Sequence, residues 1–129
     1  MAKTLHSTEQ CIRKCLDCYQ VCTNYAMNFC LEHGGRHVEP GHYRLMINCA
    51  DICSTAAKFM LSGSDLHAKV CAVCADVCEA CAQSCEDVGQ MDECVKTCRD
   101  CAVVCLQMAA AAADKQLPRG EERRFAAPM

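Results

Sequence analysis

The stretch CAVCADVCEACAQSC, from Cys71 to Cys85, sets five cysteines in fifteen residues at steps of 3, 4, 3 and 4. Steps of three and four place side chains on one face of an α-helix, whereas a strand face needs steps of two. The run therefore predicts a helix, and it fills that helix's inward stripe with a single chemical group, the thiol. The stripe recurs along the chain. An earlier segment offers Cys11, Cys15, Cys18 and Cys22, then Tyr25 or Ala26, Phe29 and Cys30. A second offers His42, Met46, Cys49, Cys53, Ala56 and Met60. The third extends the opening run to Val88, and a fourth offers Met91, Cys94, Cys98, Cys101, Cys105 and Met108. Cys-x-x-x-Cys occurs seven times, and charged residues such as Lys14, Asp17, Asp76, Glu79, Glu86, Lys96 and Arg99 lie off the stripe.

Turn chemistry separates the segments. Ser7 and Gln10 have the spacing of a capping box ahead of Cys11. Gly34 and Gly35 close the first segment, and Pro40 suits the first turn of the next. Gly63 closes the second, with Ser64 or Asp65 expected to cap the third, and Gly89 closes that one. Four amphipathic helices joined by short connections predict an all-α, up-down-up-down four-helix bundle with a cysteine-lined core. Residues 1–113 are assigned to the bundle. The stretch 114–129, with Pro118, Gly120, Pro128 and many charges, is expected to be a mobile or peripheral tail.

Composition narrows the function. The 129 residues suffice for one modest core, and 16 of them are cysteine. That is above the ~8–10% at which cysteine defines a chain's character. The net charge of −3 and the lack of a basic run give no reason to expect nucleic acid. No apolar run approaches a membrane span. The opening MAKTLHSTEQ lacks the apolar stretch of a secretory signal, so a cytoplasmic location is expected. There thiols stay reduced, and dense cysteine points to metal more than to disulfides.

Plain packing explains one or two core cysteines but not a whole stripe of them, because a thiol packs no better than a small hydrophobe. Disulfides within Cys-x-x-x-Cys would strain the helix, whose stripe neighbours lie ~5–6 Å apart at Cβ against the ~3.5–4.5 Å a disulfide wants. No Cys-x-x-Cys is followed by His, which argues against c-type haem, and the ferredoxin run is absent. Nor is there a Ser–His–Asp pattern, phosphate loop or paired carboxylates, so no enzyme is expected. Zinc in four-thiolate sites would leave two uncompensated negative charges per site inside the bundle. Copper(I) is soft, takes thiolate and thioether ligands, and carries one charge for each thiolate. A stripe of thiols on successive turns thus fits a store of many Cu(I) ions at about one per cysteine. A zinc-binding bundle and a thiol-redox protein are the alternatives.

The repeated Cys-x-x-x-Cys pairs in four successive helices, over roughly residues 8–110, resemble the cytosolic bacterial branch of the copper storage proteins. The resemblance implies storage and detoxification of many Cu(I) ions and assembly as a homotetramer. It also implies that the sixteen cysteines, Cys11, Cys15, Cys18, Cys22, Cys30, Cys49, Cys53, Cys71, Cys74, Cys78, Cys81, Cys85, Cys94, Cys98, Cys101 and Cys105, act as thiolate ligands. Cys30 falls eight residues after Cys22 and so breaks the stripe spacing.

In an up-down-up-down bundle, one end gathers His33, His37, His42, Met46 and Met91 beside Cys30, Cys85 and Cys94. The other gathers Cys11, Met60, His67, Cys71, Cys105 and Met108. The His-rich end is the expected route for copper, with His42 and Met46 as added ligands. Met60 and Met108 are expected to be hydrophobic plugs, and His33 and His37 are also compatible with ordinary loop positions.

Overall fold

A computed structural model describes residues 2–116, with side chains described for residues 7–111. The first helical rod is α1, Ala2–Asn24, which continues through a π-helical turn, Tyr25–Cys30, into a last α turn, Leu31–His33. A 3₁₀ turn, Gly35–Val38, leads to α2, Pro40–Leu61. Then come α3, His67–Val88, and α4, Asp92–Gln116. Sequential helices run antiparallel, and α4 returns to pack on α1, which closes a four-membered ring around one core. This is the up-down-up-down bundle that the cysteine stripes require. The tail expected from residue 114 falls, beyond Gln116, outside the described residues.

The helix ends follow from local chemistry, with two departures from the sequence reading. Pro40 opens α2 in its first turn, as expected. At the other end of α2, Gly63 (φ 68°) donates its N–H to Met60 O at 3.1 Å, and Ser64 N–H donates to Phe59 O at 3.0 Å. This paired closure needs a positive φ at its turning residue, which glycine adopts without penalty. By contrast, α3 starts later than a Ser64 or Asp65 cap would place it. Leu66 is its N-cap, while Ser64 Oγ accepts the Leu66 N–H at 3.0 Å within the preceding turn. The first helix begins at Ala2, upstream of Ser7, so Ser7 and Gln10 lie inside it and do not start it.

All 16 cysteines are free, and each is 0% exposed. Among the described residues, the other buried side chains are alanines, four methionines and two histidines. Aliphatic residues off the stripe, including Val21, Leu45, Ile52 and Val104, are half-buried against this core. The centre is therefore built of small, polarizable groups where a bundle ordinarily carries Leu and Ile. Each helix is long enough to hold several thiol layers: 22 residues in α3 span about 33 Å. Outer ion pairs tie neighbouring helices, with Arg99 on α4 reaching Glu86 at 2.9 Å and Glu79 at 3.6 Å on α3.

The π turn resolves the irregular spacing of Cys30. Eight residues of regular α-helix would carry Cys30 roughly 80° away from the Cys22 direction. A π turn takes one extra residue per turn. Both Ala26 and Cys30 consequently face inward and are fully buried. The extra residue is thus absorbed locally, and deleting one should convert the π turn to α-helix without moving either flank. Deletion of exposed Asn28 is expected to shift thermal stability by about 1 kcal/mol or less. Deletion of Asp17, inside regular helix, rotates one half of the stripe by about 100° and should abolish cooperative unfolding. Circular dichroism melts of the two variants check this; equal damage from both would refute the inserted-residue account.

Candidate metal centre

Because every stripe position is a thiol, the four helices bring their sulfurs together along the bundle axis. Across the seam of α1 and α4, Cys15 and Cys105 Sγ lie 3.5 Å apart, Cys22 and Cys98 3.5 Å, and Cys11 and Cys105 3.8 Å. Across α2 and α3, Cys53 and Cys78 approach to 3.4 Å, and Cys53 and Cys74 to 3.6 Å. Further contacts join these ladders: Cys18 on α1 to Cys49 on α2 at 3.8 Å, and, diagonally between α2 and α4, Cys49 to Cys98 at 3.9 Å and Cys53 to Cys101 at 3.9 Å. Successive turns of one helix also meet, as for Cys74 and Cys78 at 3.8 Å.

These sulfurs form groups able to hold an ion, and the groups overlap. Cys18, Cys49, Cys53 and Cys78 lie within 4.8 Å of one another, and so do Cys18, Cys22, Cys49 and Cys98. Cys53, Cys74, Cys78 and Cys101 form a third set, and Cys15, Cys74, Cys101 and Cys105 a fourth. Cys11, Cys71 and Cys105 make a three-thiol group at the end of α1 where the chain enters the bundle. Cys18, Cys49, Cys53, Cys74, Cys78, Cys101 and Cys105 each belong to more than one group. Isolated tetrahedral centres need ligands of their own. Shared sulfurs instead suit bridging between adjacent monovalent ions.

The two non-cysteine candidates point into the same column. Met46 is fully buried, with Sδ 3.3 Å from Cys85 Sγ, 3.6 Å from Cys81 Sγ and 3.9 Å from Cys94 Sγ. One turn earlier on α2, buried His42 sets Nε2 3.9 Å from Cys30 Sγ. Cys30 also meets His37, whose Nδ1 lies 3.9 Å from its sulfur. Cys30, the cysteine that breaks the stripe spacing, is therefore placed beside two imidazoles, giving a mixed nitrogen–sulfur group. Burial pushes the Cys30 thiol up to about 11, with Cys85 nearby adding to the shift. Burial, together with His33 and His42, pushes His37 below its ordinary range, which leaves a neutral ring able to ligate.

His37 is the residue whose position sequence reasoning leaves open. It sits in the 3₁₀ turn that folds back over the end of the bundle, and only that turn makes it a buried neighbour of Cys30. Exposed His33 packs against it with ring centroids 4.2 Å apart and a tilt of 55°, so imidazoles step from the surface inward. At the opposite end, Met60 and Met108 are buried near the rim. His67 there donates from Nδ1 to Ser64 O at 2.8 Å, which occupies that nitrogen in a turn.

Comparison with known proteins agrees with this geometry. A family profile described as Copper storage protein matches residues 4–111. A crystal structure of a protein from Nitrosospira multiformis is 56% identical, with a TM-score of 0.81, covering 82% of this chain and 97% of that one. The Cu(I)-bound copper storage protein BsCsp3 is 39% identical, with a TM-score of 0.75 over 80% of this chain and 98% of its own. Apo-Csp3 from Bacillus subtilis is 38% identical, with a TM-score of 0.68 over 79% and 98%. An uncharacterized cysteine-rich protein of Bacillus subtilis is 42% identical over 69 residues, 54% of this chain and 63% of that relative's length. Fold, buried thiol column and profile coincide over the same residues: the chain belongs to the copper storage protein family.

Proposed function

We propose that the chain stores many Cu(I) ions on its core thiolates, at about one ion per cysteine. The observation that carries this reading is the sharing of sulfurs between adjacent four-thiol groups. If each thiolate bridges neighbouring ions, each added Cu⁺ is balanced by one S⁻, and the column stays neutral as it fills. Divalent ions in separate four-thiolate centres would leave net charge in a region with no water-exposed sulfur. The protein's part is to hold the ligands at helical pitch and shield them from oxidants. It acts as a non-catalytic store that also detoxifies the metal.

Copper is admitted at the His-rich end. There the donors grade inward from exposed His33 to His37, Cys30 and His42, then to Met46 among Cys81, Cys85 and Cys94. Imidazole and thioether hold Cu(I) less firmly than paired thiolates, so transfer from this end to the thiol column is downhill. We place the protein in the cytoplasm as a homotetramer, in line with its family. Among the described residues no helix is long and apolar enough to cross a membrane. Outward Leu16, Val73, Val103 and Leu106 are available for contacts between subunits.

Anaerobic titration of the reduced protein with Cu(I) against a Cu(I)-selective chelator should saturate near one ion per cysteine. Saturation at one or two ions, or preferential filling by about four Zn²⁺, would reject the store. Replacing both Cys74 and Cys78 with serine should lower capacity by about two ions while leaving the helical circular dichroism intact. Unchanged stoichiometry in that variant would remove these thiols from the ligand set.

Loading should release about one proton per ion, so copper competition weakens as pH falls, which pH-stat titration reads directly. The metal-free bundle should behave in the opposite sense at high pH. Cys30 is raised from 9.0 in the unfolded chain to about 11 in the fold. Its contribution to stability is complete below pH 9 and is lost as pH climbs through about 11. Denaturant melts between those limits should show the decline, and a Cys30→Ala variant should lessen it.

A further inference from the structure

Beside Cys30, the His-rich end holds a side chain for which copper binding alone assigns no task. Ser84, half-buried on α3, places Oγ 2.7 Å from Nδ1 of His42. The opposite ring nitrogen, Nε2, faces Cys30 Sγ at 3.9 Å. A neutral imidazole carries one ring proton and so presents one lone pair. With the proton on Nε2, the ring is closed to a metal at Cys30. With the proton on Nδ1, the Nε2 lone pair is directed to where Cys30 Sγ and His37 Nδ1 already converge, 3.9 Å apart. In metal sites the hydrogen bond to the remote nitrogen selects between these two tautomers.

We propose that Ser84 is a positioning residue for copper uptake: its oxygen accepts the Nδ1–H of His42 and keeps Nε2 free as a ligand beside Cys30 and His37. The inference rests on the His-rich end being the loading end. A serine hydroxyl suits the task because its oxygen can accept while its own hydrogen rotates elsewhere. The His42 ring is only 5% exposed, so water is poorly placed to substitute for that acceptor. Ser84 also adjoins Cys85, whose sulfur is 3.3 Å from Met46 Sδ, one turn beyond His42 on α2. The bond to Ser84 therefore fixes the ring at the step just before the thiol column.

The test uses the full-length, reduced, metal-free protein and Cu(I) delivered from a chelator complex at less than one equivalent. Ser84→Ala should slow or weaken this first uptake by about tenfold. It should also move the ¹⁵N signature of His42 toward the Nε2–H tautomer, while helix content and final capacity stay unchanged. Ser84→Thr, which keeps the hydroxyl, should restore both readouts. Wild-type uptake and an unmoved tautomer in Ser84→Ala would overturn the proposal. Slowed uptake without a tautomer change, unrestored by threonine, would equally overturn it by showing a packing role. His42→Ala separates the two levels. If it loads at the wild-type rate, the choice of loading end fails. If it loads slowly while Ser84→Ala does not, only the role of Ser84 fails.

Discussion

The structure depends on burying sulfur without burying charge. Sixteen thiols lie at zero exposure, many of them within 4 Å of another sulfur. As neutral groups they pack like small hydrophobes and make weak hydrogen bonds to each other. As thiolates without counterions they would drive the helices apart. The bundle is therefore compatible with two conditions, fully protonated or fully metallated by a monovalent ion. In both, the core is neutral and the polar shell is unaffected. The bundle can thus stand complete before cargo arrives, unlike small zinc domains, whose folding waits for the metal.

Much of this architecture is legible from spacing alone. Period-3/4 cysteines give the helices, Gly63 and Gly89 give two of the breaks, and the inward direction of the thiols follows because every remaining face is charged or mixed. The fold class required no aromatic or aliphatic core to be recognised. The start of a helix is less readable. Ser7 with Gln10, and Ser64, have capping chemistry, yet the first helix extends past one and the third begins after the other. A short polar side chain satisfies a nearby backbone donor equally well inside a turn, as Ser64 does for Leu66.

The end of the bundle around Cys30 was the least legible part, for a different reason. Its geometry comes from non-α backbone, a π turn before Cys30 and a 3₁₀ turn after Gly34, neither of which has a residue signature of its own. The eight-residue step from Cys22 to Cys30 is the available clue, since it departs from the 3- and 4-residue steps that link the other cysteines within each helix. His37 and Ser84 acquire neighbours only through that irregular backbone and through contact between distant helices. His42 and Met46, on the regular stripe of α2, were accessible to pattern reading for the same reason the cysteines were.

Met46 gives this end of the column a different character from the rest. A thiol that takes up copper surrenders a proton, so its binding is tied to the acidity of the surroundings. A thioether has none to surrender. An ion resting on Met46 Sδ, 3.3 Å from the nearest cysteine sulfur, would gain no charge compensation from the thioether sulfur itself. If copper enters at this end as proposed, such a resting place would be self-limiting, because a second cation would be repelled while the first remains.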